Sequence, residues 1–319
     1  MDVLTQQLGR SDLRVTPLAF GTWAWGDARY WGYGERYGPA EVVDAFTAAL
    51  AGGVRFFDTA EVYGHGASER ILGALARRTD ETVVLATKFA PLRGRGGVRA
   101  VPGALAASLR RLGARCVDLY QIHWADRSEA PVGALAAALG ACARRGFVRA
   151  VGVSNVTAAE LREAHAALAA EGIPLASVQV RYSALDRSPE RDGVLAACRE
   201  LGVTLLAYSP LAQGILAGAY TAERRPAGPR GEAPDFAPAR LRAAAPVVSL
   251  LRAIGDARGG RDPAEVALNW LRARPGVIPV VGVTRGDQAR RCAACLEWSL
   301  TDAESAQIDA LSSTVQIAE

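Results

Sequence analysis

Helical stretches that end in glycine and pass at once into a β-branched or aromatic run recur along the chain. They occur at Gly53-Val54, Gly146-Phe147, Gly172-Ile173, Gly202-Val203 and Gly276-Val277. Glycine just past a helix end takes the left-handed conformation without a Cβ clash, so each junction predicts a helix-to-strand switch. The strands that follow are Val54–Asp58, Phe147–Val153, Ile173–Val180, Val203–Ala207 and Val277–Val283. Thr82–Lys88, Val117–His123 and Leu18–Gly21 have the same apolar look without the leading glycine, which makes eight. Between them lie amphipathic stretches of helical length: Ala40–Ala51, Ser68–Arg77, Pro102–Leu112, Val132–Arg145, Ala158–Ala170, Pro189–Leu201 and Asp287–Glu297. Near-continuous apolar strands alternating with helices predict a parallel sheet covered on both faces.

An open, doubly wound sheet would place a glycine-rich dinucleotide fingerprint at the first strand-to-helix turn, and none stands there. The expected fold is therefore an α/β (β/α)8 TIM barrel, a single domain over residues 1–319. Val3–Leu8, a Gly9-Arg10-Ser11-Asp12 turn and Leu13–Thr16 predict an N-terminal hairpin that plugs the barrel bottom. Ala217–Arg240, rich in Pro, Gly and Arg, predicts a long irregular loop after strand 7. Thr301–Leu311 predicts a closing helix with Thr301 as N-cap and Glu304 completing a capping box.

Composition narrows the function. Half of the 319 residues are hydrophobic, ample for a core and against disorder. The 37 basic and 33 acidic residues leave a dispersed net charge of +4, which gives no electrostatic case for nucleic acid. Apolar stretches such as Ala134–Ala143 fall short of the ~20 residues that cross a bilayer. Met1 to Arg10 is polar and lacks the apolar core of a signal peptide, so a cytoplasmic protein without a membrane partner is expected. Five cysteines without a secretory signal argue against a disulfide framework. Cys292-x-x-Cys295 falls in a predicted helix with no second ligand pair, so no metal is expected, and Cys116, Cys142 and Cys198 read as buried thiols.

The basic residues are 36 arginines and one lysine, Lys88. Where arginine serves every generic positive charge, a surviving lysine marks a place that needs a compact ammonium of tunable pKa. Polar residues at the C-terminal ends of barrel strands face the mouth. Those ends supply Asp58, Lys88, His123, Ser154-Asn155, Gln179 and Tyr208-Ser209. Tyr63 follows Asp58 by five residues in the loop leaving that strand. A phenol of ordinary pKa about 10 transfers protons poorly at neutral pH. A nearby ammonium, held by a carboxylate, is expected to lower it. Asp58, Lys88 and Tyr63 fit that chain, with His123 orienting a carbonyl oxygen.

These residues resemble the aldo-keto reductases. Phe57-Asp58-Thr59-Ala60 with Tyr63-Gly64 is similar to the family's first signature, and Thr87-Lys88 and Gln121-Ile122-His123 to its next catalytic segments. Gly152-Val153-Ser154-Asn155, Tyr208-Ser209-Pro210-Leu211 and Ile278–Arg285 are similar to its cofactor segments. The resemblance implies NADP(H) bound without a Rossmann fold, a small-molecule carbonyl substrate, and a catalytic tetrad of Asp58, Tyr63, Lys88 and His123. It further implies that Ser154, Asn155 and Gln179 hold the carboxamide, that Tyr208 stacks on the nicotinamide, and that Ser209, Pro210, Leu211, Gln213 and Gly214 wrap the pyrophosphate. Thr22 and Trp23 join the cofactor set, and Gly282, Thr284, Arg285 and Gln288 meet the adenosine end. The planar fork of Arg285 suits a 2′-phosphate.

Departures from the pattern are Arg291 and Cys292 where the family usually carries Glu and Asn, and Ala219 where it usually carries a basic residue, for which Arg230 is the expected substitute. Trp23, Trp25, Tyr30, Trp31, Tyr33 and Tyr37 crowd the loop after the first strand. Aromatics concentrated there predict a pocket wall, with Trp23, Trp25, Trp31, Tyr63, His123 and Trp124 as the substrate-contacting set, and His65 beside it. Gly21-Thr22-Trp23-Ala24-Trp25-Gly26 and Trp31-Gly32-Tyr33 are similar to the pyridoxal reductase branch, which implies an aromatic aldehyde. Two other readings share the barrel: a cofactor-binding regulatory subunit resembling the potassium-channel β-subunits, and a lyase using Lys88 as a Schiff-base nucleophile. Either a monomer or a homo-oligomer is compatible with the sequence.

Overall fold

A computed structural model describes residues 3–92 and 94–315. Residues 1–2, 93 and 316–319, part of the 1–319 span, lie outside the described residues. Gln6–Gln7 (β1) pairs antiparallel with Arg14–Val15 (β2) as the expected hairpin. Eight parallel strands follow: Ala19–Gly21 (β3), Phe56–Asp58 (β4), Val84–Phe89 (β5), Val117–Ile122 (β6), Val148–Ser154 (β7), Leu175–Arg181 (β8), Thr204–Tyr208 (β9) and Val277–Gly282 (β10). They close in the order β10-β3-β4-β5-β6-β7-β8-β9, each hydrogen-bonded to its neighbours. All eight strands read from the sequence are present, each with bounds within two residues of those expected.

Side chains alternate between the two faces of a strand, which divides the barrel interior into layers. Ala19, Phe56, Ala86, Leu119, Ala150, Leu206 and Ile278 form an apolar interior layer with the hairpin's Leu8, Leu13 and Val15. The hairpin is thus the expected plug: Gly9 donates its N–H to Thr204 Oγ1 (2.7 Å), and at φ +56 an added Cβ would collide with the Ala176 carbonyl. Two residues further along β4, β5, β6 and β7 the same face carries Asp58, Lys88, Gln121 and Gly152. The ladder sets Lys88 opposite Gln121 and Gln121 opposite Gly152. Gly152 makes room: a Cβ there would come 2.9 Å from Gln121 Cγ. The polar layer thus lies directly above a dry one, at the C-terminal mouth.

The helix expected over Pro189–Leu201 is two, Ser188–Arg191 and Val194–Leu201, broken at Gly193 with φ +84. The expected irregular loop contains a short helix, Pro229–Glu232, and a 3-10 turn, Pro234–Phe236. Two helices had no sequence assignment, Pro238–Ala257 and Pro263–Arg272. The first conceals its period behind Pro246 and an Arg/Ala-rich face, although Leu241, Ala244, Val247, Leu251 and Ile254 all turn inward. The closing helix Asp302–Thr314 carries the Thr301–Glu304 capping box. No helix among the described residues is long and apolar enough to cross a membrane.

Candidate active site

Lys88, the penultimate residue of β5, is fully buried, and a buried ammonium needs compensation on every N–H. It has three partners: an ion pair with Asp58 Oδ1, the Thr59 carbonyl at 2.8 Å and the Tyr63 hydroxyl at 3.3 Å. The second oxygen of Asp58 accepts from Gln121 Nε2 (3.0 Å) and Gln179 Nε2 (3.1 Å). Asp58 is therefore fixed from both sides, and its charge is spread over one cation and two amides. Gln121 and the Thr59 carbonyl were absent from the sequence-derived set. A glutamine two residues past the inward-facing Leu119 is the signal that could have found Gln121.

The charges act as burial and neighbours dictate. Burial works to lower the Lys88 pKa, but Asp58 and Tyr63 together outweigh it, so the ammonium lies above the ordinary lysine value. That amine is protonated and enclosed, unsuited to the Schiff-base attack of the lyase reading. Tyr63 corrects the simplest electrostatic expectation. Burial raises its pKa and Asp58 adds to the rise, while Lys88 lowers it without prevailing, so the resting phenol lies above its usual value. Burial, then Lys88 and Arg127, drive His123 well below the ordinary imidazole range, so it is neutral at pH 7. Its Nδ1 has no protein partner among the described residues.

A depressed imidazole ties stability to pH. Below about pH 6.5 the unfolded His123 binds a proton that the folded one refuses, so the unfolded state holds more protons and stability falls on acidification. The loss is expected to approach about 1.4 kcal/mol per pH unit for this group, ending at its depressed folded pKa. Urea midpoints between neutral pH and the carboxylate range should show that slope, and His123→Asn should flatten it.

Around this centre stand aromatic rings. Trp23 stacks on Tyr30 (5.1 Å) and near Tyr63 (6.0 Å), and meets Trp31 edge-on. His123 packs edge-on to Tyr63 (5.6 Å) and stacks on Trp124 at 3.5 Å. Trp23, Trp31, Tyr63, His123 and Trp124 are thus brought together, while His65 is exposed in the same loop. Trp25 is not among them. It is fully buried against Phe57, and its indole N–H donates to the Val283 carbonyl at 2.8 Å, so it packs the barrel wall. Thr22 also stands behind the mouth, its buried hydroxyl engaged with Ser68 Oγ (2.8 Å) and the Asp58 carbonyl.

The opposite rim holds the expected dinucleotide residues. Ser154 Oγ donates to the Gln179 carbonyl (2.7 Å), and Asn155 bridges the His123 carbonyl and the Tyr208 hydroxyl. Asn155, Ser209 and Gln213 adopt left-handed backbone, at φ +54, +51 and +54. Such turns aim successive backbone N–H groups into a concavity that suits phosphate. Pro210, Leu211 and Gly214 belong to the same turn after β9. Arg230 is buried, donates to the Gln213 carbonyl (3.0 Å) and lies 4.3 Å over the Trp31 ring, clamping the 217–240 loop to the aromatic one. Gln288 accepts from the N–H and hydroxyl of Thr284, and the exposed Arg285 reaches the Arg36 carbonyl at 3.1 Å, next to Gly282. Amides near the catalytic centre, a left-handed turn, then guanidinium groups: this donor set fits a nicotinamide dinucleotide. Cys292 and Cys295 take no part. Both are buried, with thiol pKa values pushed up by burial, that of Cys295 to about 12.

A family model described as "Aldo/keto reductase family" matches residues 17–313. The chain belongs to the aldo/keto reductase family. This aldo/keto reductase is 35% identical over 316 residues to a chloroplastic pyridoxal reductase of Arabidopsis thaliana, covering 95% of this chain and 85% of that protein. It is 39% identical over 278 residues to an uncharacterised oxidoreductase of Mycobacterium tuberculosis, covering 86% of this chain and 82% of the other. Its fold superposes on a glycerol dehydrogenase of Gluconobacter oxydans with TM-score 0.83 at 27% identity, over 98% of this chain and 95% of that one. A Klebsiella pneumoniae aldo-keto reductase in complex with NADPH gives TM-score 0.75 at 27% identity over the same shares. The chain is therefore an oxidoreductase of a family that acts on small carbonyl compounds and typically uses a nicotinamide cofactor.

Proposed function

We propose that the protein reduces an aromatic aldehyde or ketone to the alcohol at the expense of NADPH, with Tyr63 as proton donor. The observation that carries this reading is the single lysine, buried and touching both the Asp58 carboxylate and the Tyr63 phenol beneath an aromatic wall. The chemistry that a bound nicotinamide would supply is hydride for the carbonyl carbon. Tyr63 gives its proton to the carbonyl oxygen as negative charge gathers there. The elevated resting pKa keeps that proton in place until it is needed. Lys88 acts on the product of the transfer: its ammonium stabilises the phenolate, and Asp58 keeps it aimed. His123, uncharged, orients the carbonyl by hydrogen bonding without competing as an acid.

Ser154, Asn155 and Gln179 would hold the carboxamide, Tyr208 would stack on the ring, and the Ser209–Gly214 turn would receive the pyrophosphate. Arg285, exposed at the rim with one N–H on the Arg36 carbonyl, would read a 2′-phosphate, which favours NADPH over NADH. Pyridoxal enters as a candidate substrate from the plant relative's name and the aromatic lining of the mouth. The test is cofactor oxidation with pyridoxal, benzaldehydes and cyclic or sugar ketones, each with NADPH and with NADH. Turnover of an aromatic aldehyde with NADPH is expected. NADPH binding without turnover on the whole panel would favour the regulatory-subunit reading instead.

A further inference from the structure

Arg127 lies outside the proposed catalytic and cofactor sets, yet the site leads to it. Its guanidinium lies 4.2 Å over the Trp124 ring, and Trp124 stacks on His123 at 3.5 Å. Among the described residues no carboxylate lies within ion-pair distance of it, which it shares with other exposed arginines; its place over Trp124, beside the site, is what sets it apart. Stacking occupies the flat face of a guanidinium and leaves its N–H edge available, the edge that binds a carboxylate or phosphate through two parallel hydrogen bonds. Trp124 also restricts the rotamers of Arg127, so less entropy is lost when an anion docks. The charge is felt at the reacting end, since Arg127 is among the groups that depress His123.

We propose that Arg127 is a specificity residue and that the preferred substrates are aromatic carbonyl compounds carrying an anionic group, carboxylate or phosphate, across the ring from the reacting carbonyl. This rests on the reductase reading above. The carbonyl would sit between Tyr63 and His123, with the substrate ring along the Trp23 wall and the anion reaching past the rim of Trp124, whose two faces His123 and Arg127 cover, to the Arg127 N–H edge.

The test compares 4-carboxybenzaldehyde with its neutral methyl ester, both with NADPH, in the native protein and in Arg127→Gln. A rim ion pair of about 1 kcal/mol corresponds to about fivefold in affinity. Arg127→Gln should therefore raise KM for the acid about fivefold, leave kcat unchanged, and leave both constants for the ester unchanged. Added salt should raise KM for the acid only in the native protein, and Arg127→Lys should restore part of the preference. A formylphenyl phosphate in place of the acid distinguishes phosphate from carboxylate as the preferred anion. Equal effects of Arg127→Gln on acid and ester would overturn the assignment while leaving the reductase reading intact. Absence of turnover with both in the native protein would remove the two together.

Discussion

Tyr63→Phe is expected to lower kcat for carbonyl reduction by about 100- to 10,000-fold, the contribution of a positioned general acid. The protein should remain folded with its cofactor affinity nearly intact. The asymmetry follows from what the hydroxyl touches. Its hydrogen bond is to Lys88 at 3.3 Å, and Lys88 keeps Asp58 and the Thr59 carbonyl when it is gone. The ring itself, packed near Trp23 and His123, is retained in phenylalanine. Single-turnover rates with NADPH, beside fluorescence titration of NADPH binding, separate the two effects. Undiminished turnover by the variant would assign the proton to another group.

The second large effect concerns folding. Asp58→Ala should cost about 3–5 kcal/mol of stability, because it strands a fully buried ammonium with only a carbonyl and a phenol for partners. Lys88→Met should cost clearly less. The carboxylate it leaves still accepts from Gln121 and Gln179. Both variants should be nearly inactive, so denaturant midpoints rather than rates distinguish them. The pH dependence has a definite sign. The Lys88 pKa is higher folded than unfolded, so its contribution is complete below the ordinary lysine value of about 10.4 and disappears as pH climbs through the folded one. Lys88→Met should lose that alkaline limb. Equal stabilities for the two variants would mean that the amides do not carry the Asp58 charge.

Sequence carried the barrel because its eight strands are short, apolar and announced by glycine at several junctions. That Asp58, Tyr63, Lys88 and His123 meet was legible because one lysine among 37 basic residues and the polar ends of strands coincide. What escaped depended on three-dimensional compensation. Trp25 looks like its neighbours Trp23 and Trp31 in composition, and only the direction of the chain after Thr22 turns it toward Val283 and the core. Gln121, on β6, gains its partner Asp58 from β4, two strands away, and its own side chain fits where Gly152 of β7 leaves space. The Pro238–Ala257 helix is masked by an internal proline that tertiary contacts override. The sign of the Tyr63 shift is a balance between burial and the ammonium, and spacing along a chain says nothing of how deep a ring will sit.

The same lysine has a practical consequence. Because every other basic side chain except the histidines is an arginine, isotope-labelled lysine supplied during expression would place a single labelled side chain in the whole protein. Its ammonium resonance would come from the reaction centre alone, free of overlap. Each arriving ligand could then be followed from the point of view of the one nitrogen that Asp58, Thr59 and Tyr63 share.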